Sequence, residues 1–173
     1  MSASQPVVTI IPAPLSVVIA NLSGGEAPLD TGETVQRWLD GIGYNQANLA
    51  WDTGERTLAS GANEDLDLVG GFNNPFGTTQ SPAKIKAVLF LNYNENTQKL
   101  TVKSAASNGW TGMITGNSNG VIVPPGSSQM AGRFEWIAPQ GVAITAGTGD
   151  LINVLNSSGE SCIYRVIVVG TSA

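Results

Sequence analysis

The feature that most constrains this chain is a succession of short alternating apolar segments, recurring at about ten-residue intervals from Thr57 to Val169. A period of two sends successive side chains to opposite faces of a strand. Asp65-Leu66-Asp67-Leu68 turns two leucines one way and two acids the other. Lys84 to Tyr93 places Ile85, Ala87, Leu89 and Leu91 on one face and Lys84, Lys86, Val88 and Phe90 on the other. Lys99 to Lys103 turns Leu100 and Val102 inward and Lys99, Thr101 and Lys103 outward. With the polar turn Asn92 to Asn96 between them, these last two segments predict a β-hairpin with one wet face.

Further strands are expected at Trp110 to Thr115, Val121 to Val123, Met130 to Ile137, Val142 to Thr145, Leu151 to Leu155 and Ser161 to Val169. In the Met130 segment, Phe134 and Trp136 share one side, and Arg133 and Glu135 the other. Asn119-Gly120, Pro124-Pro125-Gly126, Gly147-Thr148-Gly149-Asp150 and Asn156-Ser157-Ser158-Gly159 supply the turn chemistry. The final segment, with Ile163, Val166, Ile167, Val168 and Val169, is apolar on both faces, which marks a central strand or one covered by a partner. Evenly spaced short strands with glycine-rich turns predict an all-β fold, an antiparallel jelly-roll-like sandwich. No long-period repeat suggests a solenoid or propeller.

The N-terminal region reads differently. Pro6, Pro12, Pro14 and Pro28 interrupt β-prone pieces, and proline is confined to sheet edges, first positions and bulges. Residues 1–28 are therefore expected to be an extended arm or edge strands, and residues 29–173 a single β-sandwich domain. The arm either packs on its own domain or docks on a neighbouring subunit. One short helix is expected after it. Asp30 serves as cap with Glu33 three residues on, Val35, Trp38, Leu39 and Ile42 form the apolar stripe, and Gly41 and Gly43 end it.

Charge and residue usage exclude many activities. The formal charge is -5, with eight basic residues and none before Arg37, so the clustered cations that nucleic acid or an anionic membrane would require are missing. Val7-Val8-Thr9-Ile10-Ile11 and Leu15 to Ala20 have no basic flank and are broken by Pro12 and Pro14, so no signal peptide is expected. A single cysteine, Cys162, permits no intrachain disulfide, suits synthesis in a reducing compartment, and is read as a core side chain.

With no histidine, imidazole-dependent nucleophile systems and imidazole metal sites are ruled out; one cysteine rules out thiolate clusters. Gly70-Gly71 is not followed by the remainder of a phosphate-binding loop, and Gly147 to Asp150 opens no helix. What remains is the pair Asp65 and Asp67, with side chains roughly 6–7 Å apart on one strand face, against the simpler reading of a solvated face. Glu64, Asp65 and Asp67 with loop carbonyls make a calcium alternative. Trp38, Trp51, Trp110 and Trp136 serve either as buried core or as a sugar-stacking platform. No catalytic, cofactor-binding or metal residue is assigned, and no cofactor is expected.

From Lys84 onward the chain resembles small virion structural proteins of tailed bacteriophages. The likeness lies in Lys84-Ile85-Lys86-Ala87-Val88, Leu100-Thr101-Val102, Ala105-Ala106-Ser107-Asn108 and Val121-Ile122-Val123-Pro124-Pro125-Gly126. It continues through Ile144-Thr145-Ala146-Gly147-Thr148-Gly149-Asp150-Leu151 and from Tyr164 to Ala173, while the first 83 residues depart from the pattern. The resemblance implies a capsid decoration, or cement, protein on the outer surface of a virion, made in the host cytoplasm. Its implied partners are the major capsid protein and other copies of itself, as a homotrimer, with no nucleic acid, membrane or enzymatic role. A tail or head-fibre component that binds host-surface glycans is the alternative.

Overall fold

The computed structural model describes residues 8–10, 16–20, 26–30, 36–74, 77–93, 98–114, 120–126, 131–157 and 159–173. They form an all-β protein with two compact units, Met1–Asp40 and Gly41–Ala173. The division falls at residue 40; the proline pattern placed it at 28.

In the first unit, β1 (Val8–Ile10) pairs antiparallel with β4 (Gln36–Trp38), and β2 (Ser16–Ala20) pairs with β3 (Glu26–Asp30). The expected helix is corrected here. Asp30, its intended cap, closes β3 opposite Ser16, and Gln36–Trp38 is extended against Val8 to Ile10. Residues 31–35, the first turn of that helix, lie outside the described residues. A helix this short is marginal in water, and ladder pairing of Trp38 with Val8 overrides its local periodicity.

Among the described residues the second unit holds nine strands: β5 (Leu49–Asp52), β6 (Arg56–Leu58), β7 (Asn63–Asp67), β8 (Lys84–Asn92), β9 (Leu100–Ser104), β10 (Val121–Val123), β11 (Gly132–Ala143), β12 (Leu151–Asn156) and β13 (Cys162–Thr171). They build two antiparallel sheets, one in the order β10-β9-β12-β7 and one in the order β11-β8-β13-β5, with β6 also on β13. Both sheets contribute to one core, in which Leu66, Leu100, Val102 and Val154 of the first meet Trp51, Phe90, Tyr164 and Val166 of the second. As its two apolar faces require, β13 is interior to its sheet, between β8 and the β5–β6 edge.

The expected hairpin of 84–93 with 99–103 does not form. β8 pairs with β11 and β13, whereas β9 pairs with β10 and β12 in the opposite sheet. A strand apolar on both faces gains more between two neighbours than on a wet hairpin. Asn92 fastens the crossover: its Nδ2 donates to Gln98 O at 2.8 Å and to Pro124 O at 3.0 Å. Residues 94–97, within the expected turn, lie outside the described residues, as does Asn119 of the Asn119-Gly120 turn.

The facial assignment of β8 also changes. Ala87 pairs with Val169 and Ile137, but the next partners, Gly170 and Val142, pair with Ile85. Lys86 is thus the extra residue of a β-bulge, and Ile85 joins Val88 and Phe90 facing the core. Two glycines permit it. A Cβ on Gly170 would lie 2.6 Å from Lys84 O, and Gly141, at φ +76°, closes the matching irregularity in β11. That irregularity unites the two segments expected at 130–137 and 142–145 in one strand.

No strand forms at Trp110 to Ile114. Gly109 makes one parallel bridge to Leu151, and the chain then folds back over the Trp110 indole, so closely that a Cβ on Gly112 would lie 2.4 Å from the ring. Strand β5, at Leu49–Asp52, was not anticipated.

Candidate interaction surface and polar depression

The carboxylates singled out in the sequence do not converge. In β7, Leu66 faces the core, and so does Glu64, two residues away along the same strand. Glu64 receives hydrogen bonds from Tyr164 Oη at 2.6 Å and Arg56 Nε at 3.1 Å, and is ion-paired with the Arg56 guanidinium. Because Arg56 and Tyr164 belong to the five-stranded sheet, this trio ties the two sheets together. Burial raises the Glu64 pKa, but the hydrogen bonds from Arg56 and Tyr164 and the guanidinium charge outweigh it, leaving it below the ordinary carboxylate value. Burial, with the same carboxylate, pushes the Tyr164 phenol far up.

Asp65 lies on the opposite face and accepts a bond from Asn153 Nδ2 at 2.7 Å. Asp67 caps its own turn, accepting from the Val69 N–H at 2.8 Å. Glu64 faces away from Asp65 and Asp67, and each of the three is engaged separately; no cluster of three metal-ligating side chains occurs among the described residues.

The tryptophans are core residues. Trp38, Trp51 and Trp110 are buried, and Trp110 stacks edge-on against Trp136 with ring centroids 5.3 Å apart. Its indole N–H donates to Ala143 O at 3.0 Å, so its polar end is occupied as well. Cys162 is buried, and burial pushes its thiol up to about 11. The Gly147 to Asp150 segment is a turn, with Gly147 N–H donating to Asp150 Oδ2 at 2.5 Å.

Two features were not anticipated from the sequence. The first is Lys86. Its side chain is fully buried, and Nζ donates to Gly43 O at 2.9 Å and Pro139 O at 2.8 Å. The Asn45 N–H reaches the same Pro139 carbonyl at 3.1 Å. Burial, with Lys84 nearby, lowers the Lys86 pKa. The ammonium thus clamps residues 43–45 to the irregular stretch of β11. Beside the clamp, Ile42, Tyr44 and Ile137 are exposed, Tyr44 by 70 %. A lysine inside an apolar run was the one sequence signal for this.

The second is on the outer face of the four-stranded sheet. Register sets Asp65, Asn153 and Lys103 abreast across β7, β12 and β9. Around them is an open depression of about 350 Å³ whose walls include Asn63, Ser104 and Leu155.

The described residues contain no helix long and apolar enough to cross a membrane. Compared with known proteins, the chain matches no family model, no curated protein and no solved structure.

Proposed function

We propose that this chain is a virion structural protein, a decoration protein that binds a phage head and stabilises it by bridging major capsid subunits. The observation that carries this reading is the exposed group Ile42, Tyr44 and Ile137 beside the Lys86 clamp. Apolar side chains held outward on a fixed backbone lose little freedom on docking, which is what a rigid contact surface needs. Repetition of a weak contact over a symmetric shell multiplies its effect. The resemblance that begins at Lys84 supports the virion setting. The chain changes sheet between β6 and β7, β7 and β8, β8 and β9, β10 and β11, β11 and β12, and β12 and β13, which supports the jelly-roll-like description. The reading places the protein on the outer capsid surface as a homotrimer, as a binding part and not a catalyst.

The test is reconstitution on heads that lack the protein, with bound copies counted on a gel. Hundreds of copies per particle are the expected result, whereas a handful would point to a tail or fibre part. Tyr44→Asp and Ile42→Asp should each lower occupancy while the β-sandwich remains folded. Removing residues 2–22, which lie wholly in the first unit, should weaken binding with the second unit still folded. Unchanged occupancy in all three variants would overturn the proposal.

A further inference from the structure

Going beyond that reading, we propose that the depression on the outer face of β7, β12 and β9 is a binding subsite for a neutral, polyhydroxylated ligand, a saccharide ring. Its floor is Asn153, which is only 8 % exposed. Asn153 Nδ2 donates to Asp65 Oδ1 at 2.7 Å and to Asn63 Oδ1 at 3.0 Å, so both amide hydrogens are engaged toward β7. An amide with its nitrogen facing β7 turns its Oδ1 the other way, toward β9. There Lys103 is the cross-strand neighbour and makes no ion pair among the described residues.

The two bonds lock the amide before any ligand arrives. They leave acceptors at Asp65 Oδ2 and Asn153 Oδ1, and donors at the Asn63 amide and the Lys103 ammonium. Neighbouring sugar hydroxyls each donate and accept at once, and a set of donors and acceptors gathered around one held amide answers that pattern. Asp65 and Lys103 cancel in formal charge, which favours an uncharged ring over an anion or a cation. The volume, about 350 Å³, falls within the usual range of small-molecule sites, about 300–1,000 Å³. Among the described residues no aromatic ring lines the depression, so recognition rests on hydrogen bonds and the affinity should be weak, on the order of 1 mM.

The experiment is a titration of the full ¹⁵N-labelled chain with galactose, mannose, N-acetylglucosamine and maltose, followed by amide NMR. At least one sugar should give saturable shifts centred on residues 63–65, 101–104 and 153–155. Lys103→Gln and Asp65→Asn should each weaken that binding roughly five-fold, the loss of one hydrogen bond. Unaltered amide shifts outside the depression would establish that both variants remain folded. Absence of saturable shifts with all four sugars, shifts centred elsewhere, or unchanged affinity in both variants would overturn the proposal. None of these outcomes depends on whether the chain binds a capsid.

Discussion

The outer faces of the two sheets solve the same problem in opposite ways. On the five-stranded sheet, Leu89 and Ile167 lie side by side, with Glu135 and Asp52 beyond them on the flanking strands. In the next row Arg133 and Arg165 flank Leu91. The ion pairs Arg133–Glu135 and Arg165–Asp52 therefore frame an apolar strip, and Leu89 is buried although it points away from the core. Long charged side chains can cover apolar surface with their stems while their heads remain wet. On the four-stranded sheet the corresponding row is Asp65, Asn153 and Lys103, and Lys103 forms no ion pair among the described residues. One face is closed by its own charges; the other keeps its polar groups for something else. Charge placement, more than charge number, separates a protective surface from an available one.

The largest expected effect tests the scaffold common to both faces. Lys86→Met removes the ammonium from Gly43 O and Pro139 O, which keep only the Gln46 and Asn45 N–H groups, and should cost about 2 kcal/mol, read from the urea midpoint. An unchanged midpoint would mean that the clamp holds nothing. Glu64→Gln comes next, at about 1–2 kcal/mol, because the tie from Arg56 and Tyr164 loses its charge.

The same tie sets the acid limit. The Glu64 and Asp52 pKa values are both lowered by folding. For Asp52, burial raises the value, but the bonds from Arg165 and from the Gly54 N–H, with the guanidinium charge, prevail. On acidification the unfolded chain therefore takes up protons before the folded one does. The stabilisation from both groups is complete above their unfolded pKa values and is lost as pH falls through the lower, folded ones. Midpoints measured from pH 7 to pH 3 should fall across that window, and less steeply in Glu64→Gln.

The sharpest use of the comparison pairs one substitution from each outer face. Arg165→Ala on the closed face should cost about 1 kcal/mol, through its bonds to Asp52 and the stem it lays along the sheet. Lys103→Gln on the open face should stay within about 0.5 kcal/mol. Equal costs would erase the distinction. The smallest effect should be at Cys162. Its thiol is buried and pushed up to about 11, so a thiol reagent should label it only as fast as the chain opens.

Strand positions were legible where alternation was clean and local. Leu66 and Leu68, Leu100 and Val102, and Phe134 and Trp136 all face inward as their spacing requires. The interior place of β13 was legible too, because Val166 and Ile167 leave neither face polar. Pairing was harder to read. Segments 84–93 and 99–103 are neighbours in sequence, yet they belong to opposite sheets, a choice made by partners dozens of residues away. The bulge at Lys86 depends on Gly141 and Gly170, so no window around Lys86 contains its cause. The helix was read from a cap and a stripe at Asp30 to Ile42, where pairing with β1 prevailed. The depression was half visible. Asp65 had drawn notice as a partner for Asp67, but its true neighbours, Asn153 and Lys103, are set by register.

The central place of β13 bears on how the chain must be made. β5, β6 and β8 all hydrogen-bond to a strand that follows every one of them in sequence. Until residues 162–171 have been synthesised, those three strands have no common neighbour, and β8 presents an uncovered apolar edge. Closure of this sheet is therefore a late event in the life of each nascent molecule. Interrupted translation products, ending short of Cys162, are the species most exposed to self-association.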